Sequence, residues 1–328
     1  LFETEVIGCE VYKSEDGGKS WKYINTYNNR PFYYSQVAIN PQDDQKVYVM
    51  TTRFMVSSDG GKTLKDGSQD QEVHGDFHAI WLDPYQQDRY YLGADKGASL
   101  THDHGQAFQL FDNLPIAQYY RIGVDMQEPY MIYGGLQDNG GHAYSGGQWK
   151  NYYGADGMDT AINPNNQNQY YGFIQNGSSM YMSNTAGDAI SGSVASPGGA
   201  SGNWVTPLTA NNSGELFSGF AGLYKLVINA WVQQNQNSIG TGNLELIHVD
   251  PSNDDIMYVA NGSGLYKSIN RGVNFTNIYN APANITSIEV HSTDSNIVYL
   301  TIQNTSANQG VLKSTNAGAT FTNFSDGL

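Results

Sequence analysis

The sequence has little charge, and its basic residues are scarce. Only 14% of the 328 residues are charged, and 16 Lys and Arg stand against 31 Asp and Glu, which gives a net charge of -15. No run of basic residues occurs anywhere in the chain. Binding to phosphates requires clustered Lys and Arg that release counterions. The composition therefore argues against a nucleic acid or an anionic membrane as the partner.

Cysteine and long apolar runs are also nearly absent. The single cysteine, Cys9, excludes an internal disulfide framework and a cysteine-rich metal site. No stretch approaches the roughly 18 apolar residues of a membrane span, and no signal-peptide pattern opens the chain. We therefore expect no transmembrane segment and no cofactor. Because Leu1 begins within a repeated pattern, we also expect the chain to be a section of a longer polypeptide with further domains.

Glycine and tyrosine, by contrast, are abundant, with 37 and 24 residues, and one glycine-containing motif occurs five times. It reads Ser or Thr, any residue, Asp or Asn, any residue, Gly, and then an aromatic residue or Leu three positions later. Asp or Asn followed by Gly is turn chemistry, and the flanking residues favour strands. We call each copy a tip and predict a structural hairpin turn at each. The five tips are centred on Asp16, Asp59, Asp103, Asn270 and Asn316.

A second element recurs between the tips: a short apolar strand that ends in a polar residue, often followed by Pro. We call these polar residues anchors; they are Asn40, Asp83, Asp125, Asn163, Asp250 and His291. The first three gaps between them are 43, 42 and 38 residues, and the last is 41. The remaining gap, of 87 residues, predicts one degenerate unit, and a strand pair with a Gly turn over 216–231 lies where it should be.

A period of about 42 residues with four short strands is the length of one β-propeller blade. We therefore predict an all-β fold, a β-propeller of seven to eight four-stranded blades. It would form one domain over 1–328, with a leading half blade over 1–27 followed by seven units. The first strand of a unit ends at the anchor, the second carries a Tyr, and the tip joins the third to the fourth.

The tips resemble the Asp-box of sialidase-like, sortilin-like and xyloglucanase-type propellers. The runs 74–84, 112–120, 133–140 and 154–157 are similar to those of large secreted bacterial "glycosyl hydrolase, Asp-box repeat" proteins. This resemblance implies an Asp-box (BNR) repeat β-propeller of the sortilin-like group, secreted or at the cell surface of a bacterium. The chain has only five Arg, too few for the arginine cluster with which a sialidase holds a sugar carboxylate.

In a propeller, the links between blades and the loops between second and third strands meet at the mouth of the central channel, opposite the tips. Carboxylates, imidazoles and tyrosines are expected to gather there. The residues concerned are Tyr33, Tyr34, Arg53, His74, Asp76, His78, Tyr119, Tyr120, Gln137, Asp138, Asn139, Tyr153 and Asp156.

Three hypotheses compete for this mouth. In the first, Asp138 and either Asp156 or Asp76 act as general acid and base on a glycosidic bond, as inverting enzymes do with carboxyl groups about 6.5–9.5 Å apart. In the second, His74, Asp76 and His78 hold a metal, because alternate residues of an extended strand face the same side.

The third hypothesis is binding without chemistry. A face rich in Tyr, Asn and Gln and poor in Lys offers flat aromatic platforms and amide groups that recognise a neutral polysaccharide or a protein loop. We favour this one: a module that binds a polysaccharide or an extracellular protein. The alternative is a xyloglucanase-like glycoside hydrolase acting on a neutral polysaccharide. The proposed ligand-binding residues are His74, His78, Tyr33, Tyr34, Arg53, Tyr119, Tyr120, Gln137, Asn139 and Tyr153.

Overall fold

A computed structural model describes residues 10–27, 30, 33–34, 36–68, 73, 75–114, 116–125, 127, 131–304, 306 and 308–327. Cys9 and His74 lie outside the described residues. The described chain is almost entirely antiparallel β-sheet, with two short 3-10 helices, Gln175–Gly177 and Pro197–Gly199. No helix in this part of the chain is long and apolar enough to cross a membrane.

The chain divides into two compact units, Leu1–Ile116 and Ala117–Leu328, called unit 1 and unit 2. The first described strands of unit 1, β1 (Glu10–Lys13) and β2 (Lys22–Thr26), form a two-stranded hairpin. Blade 1 consists of β3 (Gln36–Asn40), β4 (Asp43–Met50), β5 (Phe54–Ser57) and β6 (Lys65–Asp66). Blade 2 consists of β7 (Phe77–Leu82), β8 (Tyr90–Ala94), β9 (Gly97–Thr101) and β10 (Gln109–Leu110).

The described residues of unit 2 form five further sheets. Blade 3 has β11 (Tyr119–Val124), β12 (Ile132–Leu136), β13 (Gly140–Ser145) and β14 (Gln148–Tyr153). Blade 4 has β15 (Gly157–Asn163), β16 (Asn166–Ile174), β17 (Ser179–Ser183) and β18 (Gly192–Ala195). Blade 5 has β19 (Leu208–Ala210), β20 (Leu216–Gly219), β21 (Leu223–Val227) and β22 (Ala230–Gln233). Blade 6 has β23 (Leu246–Asp250), β24 (Asn253–Asn261), β25 (Gly264–Ser268) and β26 (Thr276–Asn280). Blade 7 has β27 (Ile285–His291), β28 (Asp294–Ile302), β29 (Val311–Ser314) and β30 (Thr322–Asn323).

In every blade the four strands pair in chain order as an antiparallel meander, which is the β-propeller blade. The predicted fold class, an all-β propeller of seven to eight four-stranded blades, is therefore confirmed, and the described residues form seven four-stranded blades and one two-stranded hairpin. The predicted degenerate unit is blade 5, whose turns differ from those of its neighbours but whose strand order is the same. Most of the tyrosines on the second strands are core residues, since Tyr48, Tyr90, Tyr133, Tyr170 and Tyr258 are buried, whereas Tyr91 is exposed.

The tips are hairpin turns held by the Ser and Asp or Asn of the motif. In the tip of blade 1, Ser57 Oγ–H donates to Asp59 Oδ1 (2.8 Å) and accepts the N–H of Gly61 (2.9 Å). The Asp59 carboxylate then accepts the N–H (2.9 Å) and the hydroxyl (2.7 Å) of Thr63. Gly61 has a φ of +90°, a conformation that side chains disfavour. The motif thus satisfies the turn's own donors.

The structure adds a sixth tip that the sequence pattern missed. At the turn from β17 to β18, Ser183 Oγ accepts the N–H of Gly187 (3.0 Å) and Thr185 Oγ1 accepts the N–H of Ala189 (3.1 Å). Thr185 stands where the other tips have Asp or Asn, and its hydroxyl oxygen supplies the acceptor. A search that allowed Thr at this position, and Ile190 in place of the final aromatic residue or Leu, would have found the tip at the blade spacing.

The Asp tips belong to unit 1 (Asp16, Asp59 and Asp103), whereas the tips of unit 2 carry Thr or Asn. Hydrogen bonds from the Ser20 side chain and backbone lower the pKa of Asp16 to about 2, and the equivalent bonds from Thr63 lower that of Asp59 to about 2. Bonds led by the Ala107 N–H also lower the pKa of Asp103. The stabilisation is present above the unfolded pKa of 3.8 and is lost as the pH falls through about 2.

We therefore expect unit 1 to lose stability between about pH 4 and about pH 2 through its tips, while the tips of unit 2 contribute no such loss. Urea unfolding at a series of pH values across this window, followed for each unit by hydrogen exchange and mass spectrometry, measures this. The matched control is the triple variant Asp16→Asn, Asp59→Asn, Asp103→Asn, since Asn occupies the same place at positions 270 and 316. If unit 1 of that variant loses as much stability at acid pH as unit 1 of the unaltered chain, the three tip aspartates are not the cause of the loss.

The anchors close the turns between first and second strands. Each anchor side chain accepts a hydrogen bond from the backbone N–H two residues later. The donors are Gln42 for Asn40, Tyr85 for Asp83, Gln127 for Asp125, Asn165 for Asn163, Ser252 for Asp250 and Thr293 for His291. This Asx-type turn explains why Asp and Asn predominate at the position.

Candidate functional site

In unit 1, three predicted residues form an aromatic cluster, which we call the Tyr33 platform. The rings of Tyr33, Tyr34 and His78 lie with centroids 5.0–5.1 Å apart, and Tyr34 stacks on His78 at an interplanar angle of 27°. Tyr34 is buried, whereas the Tyr33 side chain is 72% exposed. The platform therefore presents one ring to the solvent on a packed aromatic base.

Two carboxylates lie against the base of the platform, and one of them, Asp76, accepts a hydrogen bond from it. The Tyr34 hydroxyl donates to Asp76 Oδ1 (2.5 Å), and His78 Nε2 lies 2.8 Å from Asp95 Oδ1. Burial, reinforced by Asp76, raises the pKa of Tyr34 well above its usual 10, so the hydroxyl keeps its proton. Asp76 is thus already an acceptor for Tyr34 before any ligand binds.

The backbone beneath the platform is fixed to blade 1. The N–H of Asp76 donates to Thr52 O (3.1 Å), and the N–H of Asp95 donates to Asp76 O (3.2 Å). Asp76 has a φ of +61°, and β7 begins only at Phe77. The extended strand assumed for the metal hypothesis therefore does not reach Asp76. With His74 outside the described residues, the metal remains a prediction from sequence.

Arg53 is not part of the platform. Its guanidinium pairs with Asp66 at 3.2 Å, between the start of β5 and the end of β6. Both partners are partly accessible, so this pair contributes little stability.

In unit 2, the predicted pair Asp138 and Asp156 lies on two adjoining loops. Asp156 Oδ1 accepts the backbone N–H of Asp138 (2.9 Å), and the Asp156 N–H donates to the side chain of Gln175 (3.3 Å). Asp138 has a φ of +59°, which Asp tolerates better than most residues. One oxygen of the Asp156 carboxylate therefore fastens a turn.

These bonds belong to a continuous set that joins the loops along one side of unit 2, which we call the loop belt. It comprises loops 137–140, 154–157, 175–178, 201–206, 243–245, 261–263 and 283–285. The bonds run from Gln137 N–H to Gln118 O (2.9 Å), Gly140 N–H to Ala155 O (2.7 Å), Asn176 N–H to Trp204 O (3.1 Å), Asn203 Nδ2 to Leu244 O (3.0 Å), Asn261 Nδ2 to Asn243 O (3.3 Å) and Ile285 N–H to Gly262 O (3.0 Å). Loops 137–140 and 154–157 contain residues predicted at the channel mouth, and the other loops are the corresponding links and second-to-third strand loops of the later blades.

The other predicted residues of unit 2 have separate environments. Tyr119 donates to or accepts from His142 Nδ1 (3.0 Å), whose ring stacks on Trp149 at 4.8 Å. Tyr120 packs edge-on against Trp204 at 6.3 Å. Asn139 Nδ2 donates to its neighbour Gln137 O (3.1 Å), so both belong to the loop belt.

Tyr153, predicted as a ligand residue, is a core residue in this structure. It is 4% exposed, and its hydroxyl donates to Phe173 O (3.2 Å). Its ring fills the space left by Gly141 and Gly172, where an added Cβ would lie 1.9 Å and 2.2 Å from the tyrosine. The sequence does not show that these two glycines lie against Tyr153, and for this reason the Tyr152-Tyr153 pair resembled a surface feature.

Two residues absent from the predicted site have the properties expected of functional groups. Trp204 is a large aromatic residue in a link between blades and is 48% exposed. Asp159, in β15, has a pKa raised to about 6 by burial, against the hydrogen bonds it accepts from the Leu208 and Thr160 N–H groups. The sequence could have indicated Trp204, because a Trp within a polar link rich in Gly, Ser and Asn is unusual. No local sequence pattern indicates Asp159.

No protein-family model matches the chain, and no curated protein matches its sequence. Similar solved structures include a GH74 xyloglucanase from Xanthomonas campestris, at 16% identity and TM-score 0.49, over 86% of this chain and 52% of that one. They also include YCF48 bound to a D1 peptide, at 14% identity and TM-score 0.45, over 85% of this chain and 89% of that one. The chain spans about half the length of the xyloglucanase. Identities this low concern the fold alone.

Proposed function

We propose that this protein is a secreted or cell-surface, Asp-box type propeller module that binds a neutral polysaccharide without cleaving it. The observation that carries the proposal is the Tyr33 platform: an exposed ring backed by Tyr34, which is hydrogen-bonded to Asp76, and by His78, which lies beside Asp95. The apolar face of a sugar ring packs on such an aromatic surface, while nearby polar groups bond its hydroxyls.

Rigidity supports binding. The loop belt and the Thr52–Asp76–Asp95 backbone bonds hold the loops of each unit before a ligand arrives. A surface that is already ordered loses less conformational entropy on association. The small number of Lys and Arg residues suits a neutral ligand, since few cationic side chains are present to balance the charge of an anionic ligand.

The carboxylates nominated for catalysis are engaged in structural bonds, which favours binding over hydrolysis. Asp76 accepts the Tyr34 hydroxyl, and Asp156 accepts the Asp138 N–H. The alternative, a glycoside hydrolase, is favoured by one observation only: Asp159 has a pKa of about 6, suitable for a general acid near neutral pH.

We expect Tyr33→Ala to weaken binding of the best polysaccharide in a neutral panel about two- to tenfold, because a stacking contact contributes roughly 0.5–1.5 kcal/mol. Isothermal titration calorimetry measures the affinity. The matched control is Tyr85→Ala, which removes a 90% exposed tyrosine from the turn after the blade 2 anchor and should leave the affinity unchanged.

Two results would overturn the proposal. The first is an unchanged affinity in Tyr33→Ala, or no binding to any polysaccharide by the unaltered chain. The second is release of reducing sugar from the panel that disappears in Asp138→Asn, Asp156→Asn or Asp159→Asn while binding persists. That outcome would establish the hydrolase instead.

A further inference from the structure

A histidine joins the first strands of two adjacent blades of unit 2. His248 lies in β23 of blade 6, and its Nε2 accepts the backbone N–H of Val290, in β27 of blade 7, at 3.2 Å. Because β27 is an edge strand of its sheet, some of its backbone N–H groups have no partner within the sheet. The imidazole supplies an acceptor for one of them. We call this hydrogen bond the His248 joint.

The joint requires a neutral imidazole. A ring nitrogen accepts a hydrogen bond only when it carries no proton, so the proton of the neutral His248 ring is on Nδ1. That nitrogen lies 3.9 Å from Glu289 Oε2, too far for a hydrogen bond but close enough for electrostatic attraction. The Glu289 side chain is 71% exposed, whereas that of His248 is only 20% exposed. The carboxylate therefore has room to move toward the ring.

A second proton on the ring removes the acceptor. Both nitrogens of an imidazolium are donors, so the protonated Nε2 and the Val290 N–H would oppose each other with no acceptor between them. At the same time the positive ring attracts the Glu289 carboxylate beside Nδ1. Protonation thus favours Glu289 over the Val290 N–H as the partner of His248.

We propose that the His248 joint is an acid-sensitive switch that holds the edge of β27 against blade 6 while the imidazole is neutral and releases it when the imidazole is protonated. The apolar packing of Ile288 and Val290 in the core shared by the two blades does not depend on charge. The release is therefore confined to the backbone edge of β27, and both blades stay folded. The switch is separate from the Tyr33 platform and does not depend on the proposed binding function.

Blade 6 differs from the other anchored blades at this position. His248 lies two residues before the anchor Asp250, and no other anchored blade has an imidazole there. The corresponding residues are Ala38, Trp81, Gly123, Ala161 and Glu289. The switch is thus a property of the junction between blades 6 and 7, and not of the blade repeat.

The groups around His248 determine the pH range of the switch. Burial lowers the pKa of His248 from its usual 6.5, against the attraction of Glu289 and Asp250, which raises it. The paired Tyr258 of β24 keeps its proton, because burial raises its pKa to about 12. Strands β19 and β20, which also pack on β23, carry no titratable side chain. The stabilisation by the joint is therefore complete above pH 6.5 and is lost as the pH falls through the lower pKa of the folded protein.

Hydrogen exchange of the Val290 amide, measured by NMR, tests the switch. The protection factor compares the exchange rate with that of an unstructured chain at the same pH. We expect it to fall at least about fivefold between about pH 8 and about pH 5, as the loss of one hydrogen bond predicts. The midpoint should coincide with that of the chemical shift of the His248 ring. A flat profile, or a midpoint that differs from that of the ring, would overturn the switch.

Two variants change the joint itself. His248→Gln places an amide oxygen near the position of Nε2, where it accepts the Val290 N–H at every pH, so the protection of Val290 should no longer depend on pH. Glu289→Gln should move the midpoint to lower pH, because the carboxylate favours the imidazolium. Thermal unfolding at neutral pH checks that both variants fold. An unchanged midpoint in Glu289→Gln would contradict the exchange of partners.

Other groups that respond to acid are controlled separately. His291→Asn removes the other histidine of β27 and introduces the residue found at the anchors Asn40 and Asn163; it should leave the midpoint unchanged. Asp159, whose pKa is about 6, is retained in His248→Gln. A fall in Val290 protection that persists in His248→Gln would therefore arise from Asp159 or another group, and it would overturn the switch.

Discussion

Gly135→Ala is expected to destabilise unit 2 by at least about 3 kcal/mol, the upper range for overpacking a filled interior. A Cβ at this position would lie 2.1 Å from Met158 O, 2.2 Å from Gly157 C and 2.4 Å from Gly157 O. All three are backbone atoms of the adjacent blade, so no side-chain rotation relieves the overlap. Blades 3 and 4 would have to move apart, which would open the core around Phe173 and Met158.

The matched control is Gly154→Ala. Gly154 lies in the link between the same two blades, its φ is outside the left-handed region, and an added Cβ would meet no atom within 4 Å. Urea unfolding followed by Trp fluorescence, with hydrogen exchange to assign the loss to unit 2, compares the variants. Equal stability of Gly135→Ala and Gly154→Ala would show that the blades are not in the close contact described.

The sequence predicts the blades well because their determinants are local. The tip and the anchor each satisfy their own turn within a few residues, as Ser57 with Asp59 and Asp83 with Tyr85 show. Such turns are visible to a search for short motifs, and their regular spacing gives the strand order. The same logic missed the tip at Thr185 because the pattern was restricted to Asp or Asn at that position and to an aromatic residue or Leu at the place of Ile190.

The candidate site is less predictable because its determinants are distant in sequence. Tyr153 resembles a surface aromatic until Gly141 and Gly172 are seen to make room for its ring. Asp159 gains its raised pKa from burial among neighbouring strands, which no local pattern indicates. The sequence does predict that the platform residues Tyr33, Tyr34, Asp76 and His78 lie near each other, because the blade period places both of their links at the mouth of the channel.

The anchors Asp83 and Asp125 differ in the residue that is available to donate to their second carboxylate oxygen. Asp83 and Asp125 have the same backbone turn, in which the anchor N–H donates to the carbonyl six residues later at 3.1 Å. In blade 2 that sixth residue is Arg89, whose Nε donates to Asp83 Oδ2 (2.6 Å). In blade 3 it is Met131, and Asp125 Oδ2 is buried without a partner in the described structure.

Arg89→Met gives blade 2 the composition of blade 3 at this turn. We expect unit 1 to lose about 2–3 kcal/mol, because the buried Asp83 carboxylate keeps its desolvation cost and loses a charged donor. The Tyr85 N–H, the Arg89 guanidinium and the Gln86 N–H lower the pKa of Asp83, so the effect of the substitution should shrink as the pH falls and Asp83 is protonated. Urea unfolding at neutral pH and again at a pH below the usual range of a carboxyl group measures both.

The reciprocal variant, Met131→Arg, should stabilise unit 2 by about 1 kcal/mol, since it supplies Asp125 Oδ2 with the missing donor while the arginine stem replaces the apolar methionine. The control is the same Met131→Arg substitution made together with Asp125→Asn, because the second change removes the anionic acceptor. A stabilisation by Met131→Arg that persists when Asp125 is replaced by Asn would show that packing, and not the carboxylate, is responsible. If Arg89→Met leaves the stability of unit 1 unchanged, the residue six positions after the anchor does not stabilise the anchor carboxylate. The blades would then tolerate a buried carboxylate oxygen without that donor.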